Sequence, residues 1–271
     1  MIIARQKLLD LLAADLPDEH FSHRDLDLNF NLYLFDLLTS TNEKLSQLVT
    51  DGQAPPGTIV IAERQTAGRG QRGHTWKSEP GGLYLSLAIA PDLLASNVHQ
   101  LTIGIVWGIA NNLRQIGLPV AIKWPNDLML SGRKLGGILT QTRISGDRIQ
   151  DAIVGVGINY ANPVEGLAIN LAPSDNYQPN YRNFSLEMLT SCTIRGIISG
   201  YKRCTPTTID GLLSDYLELL NARGRSVLVN GQLGTVIGIS PQGELHVSFT
   251  TATAVKTAFL TPGTFSLGYE S

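Results

Sequence analysis

The chain has 271 residues, 43% hydrophobic and 16% charged, enough for one large domain or a large one with a smaller companion and a buried core. Its formal net charge of −2 excludes a general polyanion binder. No run approaches the ~18 consecutive apolar residues of a membrane span. The start, MIIARQKLLDLLAADLPDEH, carries acidic residues within its apolar run and no small-residue cleavage site, so no signal peptide is expected and the expected location is the cytoplasm. Cys192 and Cys204 lie in helix-like surroundings with no CxxC and no histidine at metal spacing, and read as reduced packing thiols.

In chain order, Leu8, Leu9, Leu11 and Leu12 predict a short helix near Ala4 to Ala14. NLYLFDLL reads as a strand, and STNEKLSQLVTDG as a helix with a Ser40–Glu43 capping box, an apolar face of Leu45, Leu48 and Val49, and Gly52 as its stop. GTIVIAERQ is a β-branched strand running straight into a glycine-rich loop, and GGLYLSLAIA is the next strand. Apolar residues at 98, 101, 105, 109, 113 and 116 predict a helix ended by Gly117 and Pro119. From Ala121 to Tyr160 short strands alternate with Ser-Gly turns at 131–132 and 145–146, an antiparallel meander. Two helices follow, one lined by Leu186, Leu189, Ile194, Ile197 and Tyr201, the other by Ile209, Leu212, Leu213, Tyr216, Leu219 and Leu220. Beyond NARG at 221–224 come only short strands: RSVLV, QLGTVIGI, ELHVSFT and a final FSLGY. The fold class is α+β, a mostly antiparallel sheet with helices on one face, residues 1–221, then a small β-barrel, residues 222–271.

The loop at 66–76, TAGRGQRGHTW, satisfies the dinucleotide spacing G-x-G-x-x-G at Gly68, Gly70 and Gly73. That fingerprint requires a helix opening at the third glycine to hold the pyrophosphate. HTWKSEPGG follows instead, full of breakers, so the dinucleotide reading is rejected. Glycines that let the backbone approach a ligand, with the forked donors of Arg69 and Arg72 and the flat face of Trp76, read equally as an anion-binding loop and as a solvated turn. KWPNDLML at 123–130 gathers Lys123, Trp124, Asn126 and Asp127 about Pro125; the bland reading is a strand entry with an Asn-Asp turn. Lys134, before LGGIL, is either an exposed strand lysine or a point charge set against a ligand held by neighbouring backbone. In GVGINY, Gly155 and Gly157 interrupt an apolar strand, which marks close approach by a ligand or another backbone, and Asn159 is either a hydrogen-bonding tip or an amide bonded to backbone.

Taken in order, GRGxRGxxW, KWPND, K-x-G-G-I-L and G-x-G-I-N resemble the biotin protein ligases, from about Asp36 to Asn159, with a weaker match of the C-terminal β segment. The resemblance implies a catalytic fold related to class II aminoacyl-tRNA synthetases and a C-terminal SH3-like domain. It implies adenylation of biotin by MgATP, then transfer from biotinyl-5′-AMP to a lysine of a biotin carrier domain of acetyl-CoA carboxylase. Biotin contacts carried over are Ser40, Thr41, Asn42, Gln65, Gly68, Arg69, Gly70, Gln71, Lys134, Gly137, Gly155 and Gly157; those for ATP are Arg72, Trp76, Lys123, Asn126, Asp127 and Asn159. Lys134 and Arg69 are the implied catalytic pair; no metal-ligand set is implied, Asp127 being a candidate Mg²⁺ contact beside phosphate and water. Two departures stand out: the family most often has arginine where Gln71 stands, and another basic residue is common at His74. Losing one charge-assisted hydrogen bond, about 1.5–3 kcal/mol, loosens a bound adenylate about ten- to a hundredfold unless Arg72 compensates.

About thirty residues precede Asn31, too few for the helix-turn-helix domain of bifunctional members, so a monofunctional ligase that binds neither DNA nor membrane is expected, with a homodimer left open. The alternatives are a lipoate-type ligase, whose R-R-x-x-G-G-G pattern is missing, and a biotin or nucleotide sensor without catalysis, against which Lys134 stands.

Overall fold

The computed structural model describes residues 3–14, 29–171, 184–221, 224, 226–229, 231–250 and 254–264. Helix α1 (Arg5–Ala13) comes first, then β1 (Asn31–Leu38), α2 (Thr41–Thr50), β2 (Thr58–Gln65), β3 (Leu83–Ile89) and α3 (Val98–Gln115). Strands β4 (Ala121–Lys123), β5 (Asp127–Leu130), β6 (Arg133–Ser145) and β7 (Arg148–Ile158) form the expected meander, although β6 and β7 are long rather than short. Helices α4 (Leu186–Lys202) and α5 (Ile209–Leu219) follow, then β8 (Ser226–Val229), β9 (Gln232–Ile239), β10 (Leu245–Thr250) and β11 (Val255–Leu260).

Strands β1 to β7 make one sheet in the order β1-β2-β3-β7-β6-β5-β4. Its β1–β2 pair is parallel and its other pairs antiparallel, as the mostly antiparallel expectation required. Period-two alternation gives the sheet two buried faces. Ile59 and Ile61 of β2, Leu87 and Ile89 of β3 and Val154 of β7 join the core beneath α3 and α4. Val60, Ala88 and Ile153, one residue out of phase, pack under Leu45 and Leu48 of α2. The expectation of helices on one face is therefore corrected: α2 covers the opposite face. The out-of-phase apolar positions were in the sequence, but a strand buried on both sides loses the clean alternation that signals a single core.

Helices α3 and α4 approach through a glycine seam. A Cβ at Gly108 would overlap the carbonyl oxygen of Gly196, and one at Gly200 would overlap that of Gly104. Gly108→Ala gains helix propensity of up to about 1 kcal/mol, but the obstacle is backbone of a neighbouring helix, so α3 and α4 must separate along their shared core. Overpacking of this kind costs about 1–3 kcal/mol. The net expectation is a lower thermal unfolding midpoint; an unchanged or higher midpoint would show that the seam can relax. At the other side of α4, the buried guanidinium of Arg195 donates to the carbonyls of Leu11, Leu12 and Ala14, neutralising the C-terminal end of α1 and docking it.

Among the described residues the C-terminal strands form a four-stranded antiparallel sheet, β11-β10-β9-β8, in line with the small β-barrel expected there. Strand β11 was not anticipated, because TAVKTAFL has weak alternation; the expected FSLGY strand and the boundary at Ala222 lie outside the described residues. Val236, Leu245, Val247 and Leu260 share one core cluster with the large sheet and its helices. Both cysteines are buried free thiols, and burial raises Cys192 to about 11 and Cys204 to about 12, which fits packing rather than nucleophilic roles.

Candidate functional site

Cross-strand register builds the floor of the site. Lys123 pairs with Asp127, Asp127 with Gly137, Gly137 with Gly157 and Gly157 with Tyr84, so these residues run in one row across five strands. The adjoining row is Ser86, Gly155 and Leu139. Both rows face the α2 side of the sheet, and the glycines leave a trough there. Above it lies a cavity of about 360 Å³ bounded by the start of α2, the loop after β2 and the β4–β5 turn.

The glycines of β7 make room for protein side chains. A Cβ at Gly155 would overlap Asn42 Oδ1, and a Cβ at Gly157 would stand 2.5 Å from the Trp76 ring. The nearest protein atoms are side chains, those of Asn42 and Trp76, which line the cavity together with the two glycines.

At one end of the cavity the groups are neutral. Ser40, the residue before α2, is 2% exposed and makes no side-chain cap bond, and Glu43 instead accepts from Thr39 Oγ1 at 2.8 Å, so the expected capping box is not formed. Gln65, at the end of β2, takes over: its Oε1 accepts from the backbone N–H of Thr41 at 2.8 Å and lies 3.2 Å from Thr41 Oγ1. Its Nε2 donates to Ser78 Oγ at 2.8 Å. Asn42 is held at both ends, Oδ1 by Ser86 Oγ at 2.6 Å and Nδ2 by Gln141 Oε1 at 3.1 Å. These anchors fix rotamers, so the cavity-lining side chains of Thr41, Asn42 and Gln65 are preorganised.

At the other end the groups are charged. Lys134 Nζ is 2.7 Å from Asp127 Oδ1 and 5.4 Å from the Trp76 ring centroid. Of the two readings of Lys134, the exposed strand lysine does not hold: its side chain is 29% exposed and forms a wall of the cavity. Lys123 is buried, and burial brings its pKa down to about 8, with Asp127 opposing the shift and Lys134 adding to it. Asn126 donates from Nδ2 to Ile138 O at 2.7 Å, which ties the turn after β4 to β6.

The loop at 66–76 closes this end. Gly70 N–H donates to His74 O at 2.7 Å and Trp76 N–H to Gly68 O at 2.9 Å, around a single 3₁₀ turn at Gln71–Gly73. Arg72 (φ 56°) and Gly73 (φ 75°) are both left-handed there. No helix opens at Gly73, in agreement with rejection of the dinucleotide fingerprint. Arg69 Nη2 lies 3.7 Å from Glu43 Oε1 on α2. Arg69, Arg72, Lys123 and Lys134 line the cavity against the single carboxylate of Asp127, four positive charges less one negative, a balance suited to an anion.

Of the residues singled out from the sequence, Ser40, Thr41, Asn42, Gln65, Arg69, Gly70, Gln71, Arg72, Trp76, Lys123, Asn126, Asp127, Lys134, Gly137, Gly155 and Gly157 meet at this cavity. Gly68 and Asn159 do not line it. Gly68 packs where a Cβ would be 2.6 Å from Ser78 Oγ. Asn159 is buried, with its N–H on Leu135 O at 2.9 Å and its side-chain oxygen accepting from Asn162 Nδ2 at 3.0 Å. Sequence reading missed Ser86 and Gln141, the partners of Asn42. Ser86 had a signal, being the polar residue inside the apolar run LYLSLAIA; Gln141 had none without the β6–β7 register.

Comparison with known proteins agrees with this geometry. The model of the biotin/lipoate A/B protein ligase family matches residues 34–159. A biotin protein ligase from Aquifex aeolicus, solved in complex with biotin and ATP, is similar at a TM-score of 0.70 and 26% identity, over 89% of this chain and 99% of that one. The bifunctional ligase/repressor BirA of Bacillus subtilis is 37% identical over 131 residues, 48% of this chain and 40% of the relative. The biotin–[acetyl-CoA-carboxylase] ligase of Paracoccus denitrificans is 35% identical over 113 residues, 41% of this chain and 47% of the relative. The matched regions thus span less than half the length of these two curated relatives.

Proposed function

We infer, from the match of residues 34–159 to the biotin/lipoate A/B protein ligase family and from the geometry of the cavity, that the chain is an ATP-dependent biotin–protein ligase. The observation that carries this reading is one cavity with two chemically distinct ends: neutral, anchored hydrogen-bonding groups at Ser40, Thr41, Asn42 and Gln65, and a cationic end at Arg69, Arg72, Lys123 and Lys134. A ureido ring system with a carboxylate tail suits the first, and a nucleoside triphosphate suits the second. The relatives named above, among them a ligase bound to biotin and ATP, support the same assignment.

In the first step a carboxylate oxygen of biotin attacks the α-phosphorus of ATP. The bond from α-phosphorus to the bridging oxygen breaks, and pyrophosphate leaves. Charge grows on the phosphoryl oxygens, so prearranged cations are the main catalytic requirement. Lys134 is the catalytic cation, with Asp127 holding its ammonium in position, and Arg69 is its partner from the loop. ATP enters as its Mg²⁺ complex, and Asp127 is the carboxylate of that wall. Trp76 offers an aromatic face to the adenylate, while its indole N–H lies buried against Gly157. In the second step the uncharged amine of a carrier lysine attacks the acyl carbon, AMP leaves and the nitrogen loses a proton, giving the amide. Both steps proceed without a covalent enzyme intermediate.

Lys123 gives this reading a pH signature. Its folded pKa of about 8 lies below the ordinary 10.5, so the folded chain releases the proton first. The stability cost of holding the charge is present in full below pH 8 and is relieved as pH rises from about 8 to 10.5. Phosphate attraction runs the other way, since the folded lysine loses its charge as pH passes through about 8. The KM for ATP is expected to rise above pH 8 in the wild type and to stay flat to about pH 9 in Lys123→Arg, whose guanidinium does not titrate there. Parallel profiles for the two proteins would remove Lys123 from nucleotide binding.

The test of the function itself is incubation with biotin, MgATP and a biotin carrier domain. Biotin-dependent pyrophosphate release followed by transfer is expected. Release without transfer would indicate a sensor, and activity with lipoate alone would overturn the assignment.

A further inference from the structure

We propose that the C-terminal sheet is a brace for the nucleotide end of the cavity, acting through Trp124 and the turn between β9 and β10. The inference rests on the ligase reading for what the brace serves, but the contacts stand apart from it. Trp124 sits between Lys123 and Asn126, is 2% exposed, and donates from Nε1 to the carbonyl oxygen of Gly243 at 2.9 Å, across 119 residues of chain. That carbonyl is not adventitiously presented. Gly243 has φ +80°, a left-handed conformation that favours glycine, and a Cβ there would crowd His99 Cβ at 3.1 Å.

Ser240 builds the turn. Its Oγ accepts from the backbone N–H groups of Gln242 at 3.2 Å and Glu244 at 3.1 Å. Its carbonyl accepts from Gly243 N–H at 2.8 Å, and its N–H donates to Glu244 O at 2.8 Å. A rigid turn therefore holds one acceptor against a buried indole that lies inside the motif carrying the cavity's charged residues. The short β4 and the turn after it are held at Asn126 by Ile138 O at 2.7 Å and at Ile122 by Asn221 N–H at 2.8 Å, and Trp124 adds the anchor that lies between Lys123 and Asp127 and reaches the C-terminal sheet. Ser240 is a positioning residue, since it lies outside the cavity lining and acts only through the turn, whereas Trp124 both lines the cavity and carries the anchor.

The test uses the full chain with Trp124→Phe, which keeps an aromatic ring but deletes the donor and the volume of the pyrrole ring, and Ser240→Ala, which loosens the turn without touching the cavity and so reads the anchor alone. Both KM values are measured by biotin-dependent ATP–pyrophosphate exchange well below the unfolding midpoint. The KM for ATP is expected to rise about fivefold or more in Trp124→Phe and about threefold in Ser240→Ala, with the KM for biotin within about twofold of wild type. Amide hydrogen exchange without ligand is expected to quicken over 121–127 while the α3–α4 amides stay protected. Unchanged exchange over 121–127, or KM values for ATP and biotin that stay put or rise together, would overturn the brace. If the wild type shows no biotin-dependent exchange activity, the ligase reading fails, and amide exchange alone still decides whether the brace exists.

Discussion

Lys134→Ala is expected to lower the rate of biotin-dependent ATP–pyrophosphate exchange by about 10²–10³-fold, the scale on which removal of one prearranged transition-state donor acts. The side chain combines three features. It carries a charge at a half-buried cavity wall, it is locked at 2.7 Å to Asp127, and it stands 5.4 Å from the Trp76 ring centroid. The locked ammonium needs no reorganisation as negative charge develops on phosphorus. Truncation leaves the fold intact, because the stem is partly solvent-exposed and Lys123 pairs across the strands with Asp127. Thermal unfolding and exchange measured on the same preparation check this. Loss of activity together with a large fall in melting temperature would make Lys134 a structural residue, and wild-type turnover would remove it from the mechanism.

Gly155→Ala is expected to raise the KM for biotin by about a hundredfold or more and to cost about 1–3 kcal/mol of stability. The new methyl group would overlap Asn42 Oδ1. Asn42 cannot swing aside cheaply: Ser86 holds one end of its amide, Gln141 the other, and its backbone sits in the first turn of α2. Displacing it breaks a buried polar network whose members are then left unpaired, and it tilts the helix start that carries Ser40 and Thr41. A double-mutant cycle with Asn42→Ala separates the two losses. Stability is expected to recover in the double variant while biotin binding stays weak, since the amide itself is gone. An undiminished stability cost in the double variant would mean that Asn42 is not the obstacle.

Much of this was legible in the sequence, and the misses share a cause. The strands, the meander and the two late helices follow from local periodicity, which neighbouring residues alone determine. The loop at 66–76 was separated from a dinucleotide motif by the residues after Gly73, also a local fact. What could not be read was register. Ser86 and Gln141 acquire meaning only when β3, β6 and β7 are aligned, and the glycines of β7 reveal their purpose only when α2 and Trp76 are laid over them. The pairing of Trp124 with Gly243 spans 119 residues and has no sequence signature. Gln65 supplanting Ser40 at the start of α2 is a similar case: the capping pattern was present, yet a side chain from β2 took the N–H.

The departure at Gln71 fits the same picture. It begins the 3₁₀ turn whose next residue, Arg72, is left-handed, so the loop offers Arg69 and Arg72 as its two cations, with Gln71 a neutral donor between them.

The most direct measurement is mass spectrometry of a biotin carrier domain after incubation with the chain, MgATP and biotin. The expected result is one added biotinyl group on a single carrier lysine, dependent on ATP and lost with Lys134→Ala. A carrier left unmodified by the wild-type chain under conditions where a known biotin ligase modifies it completely would contradict the assignment.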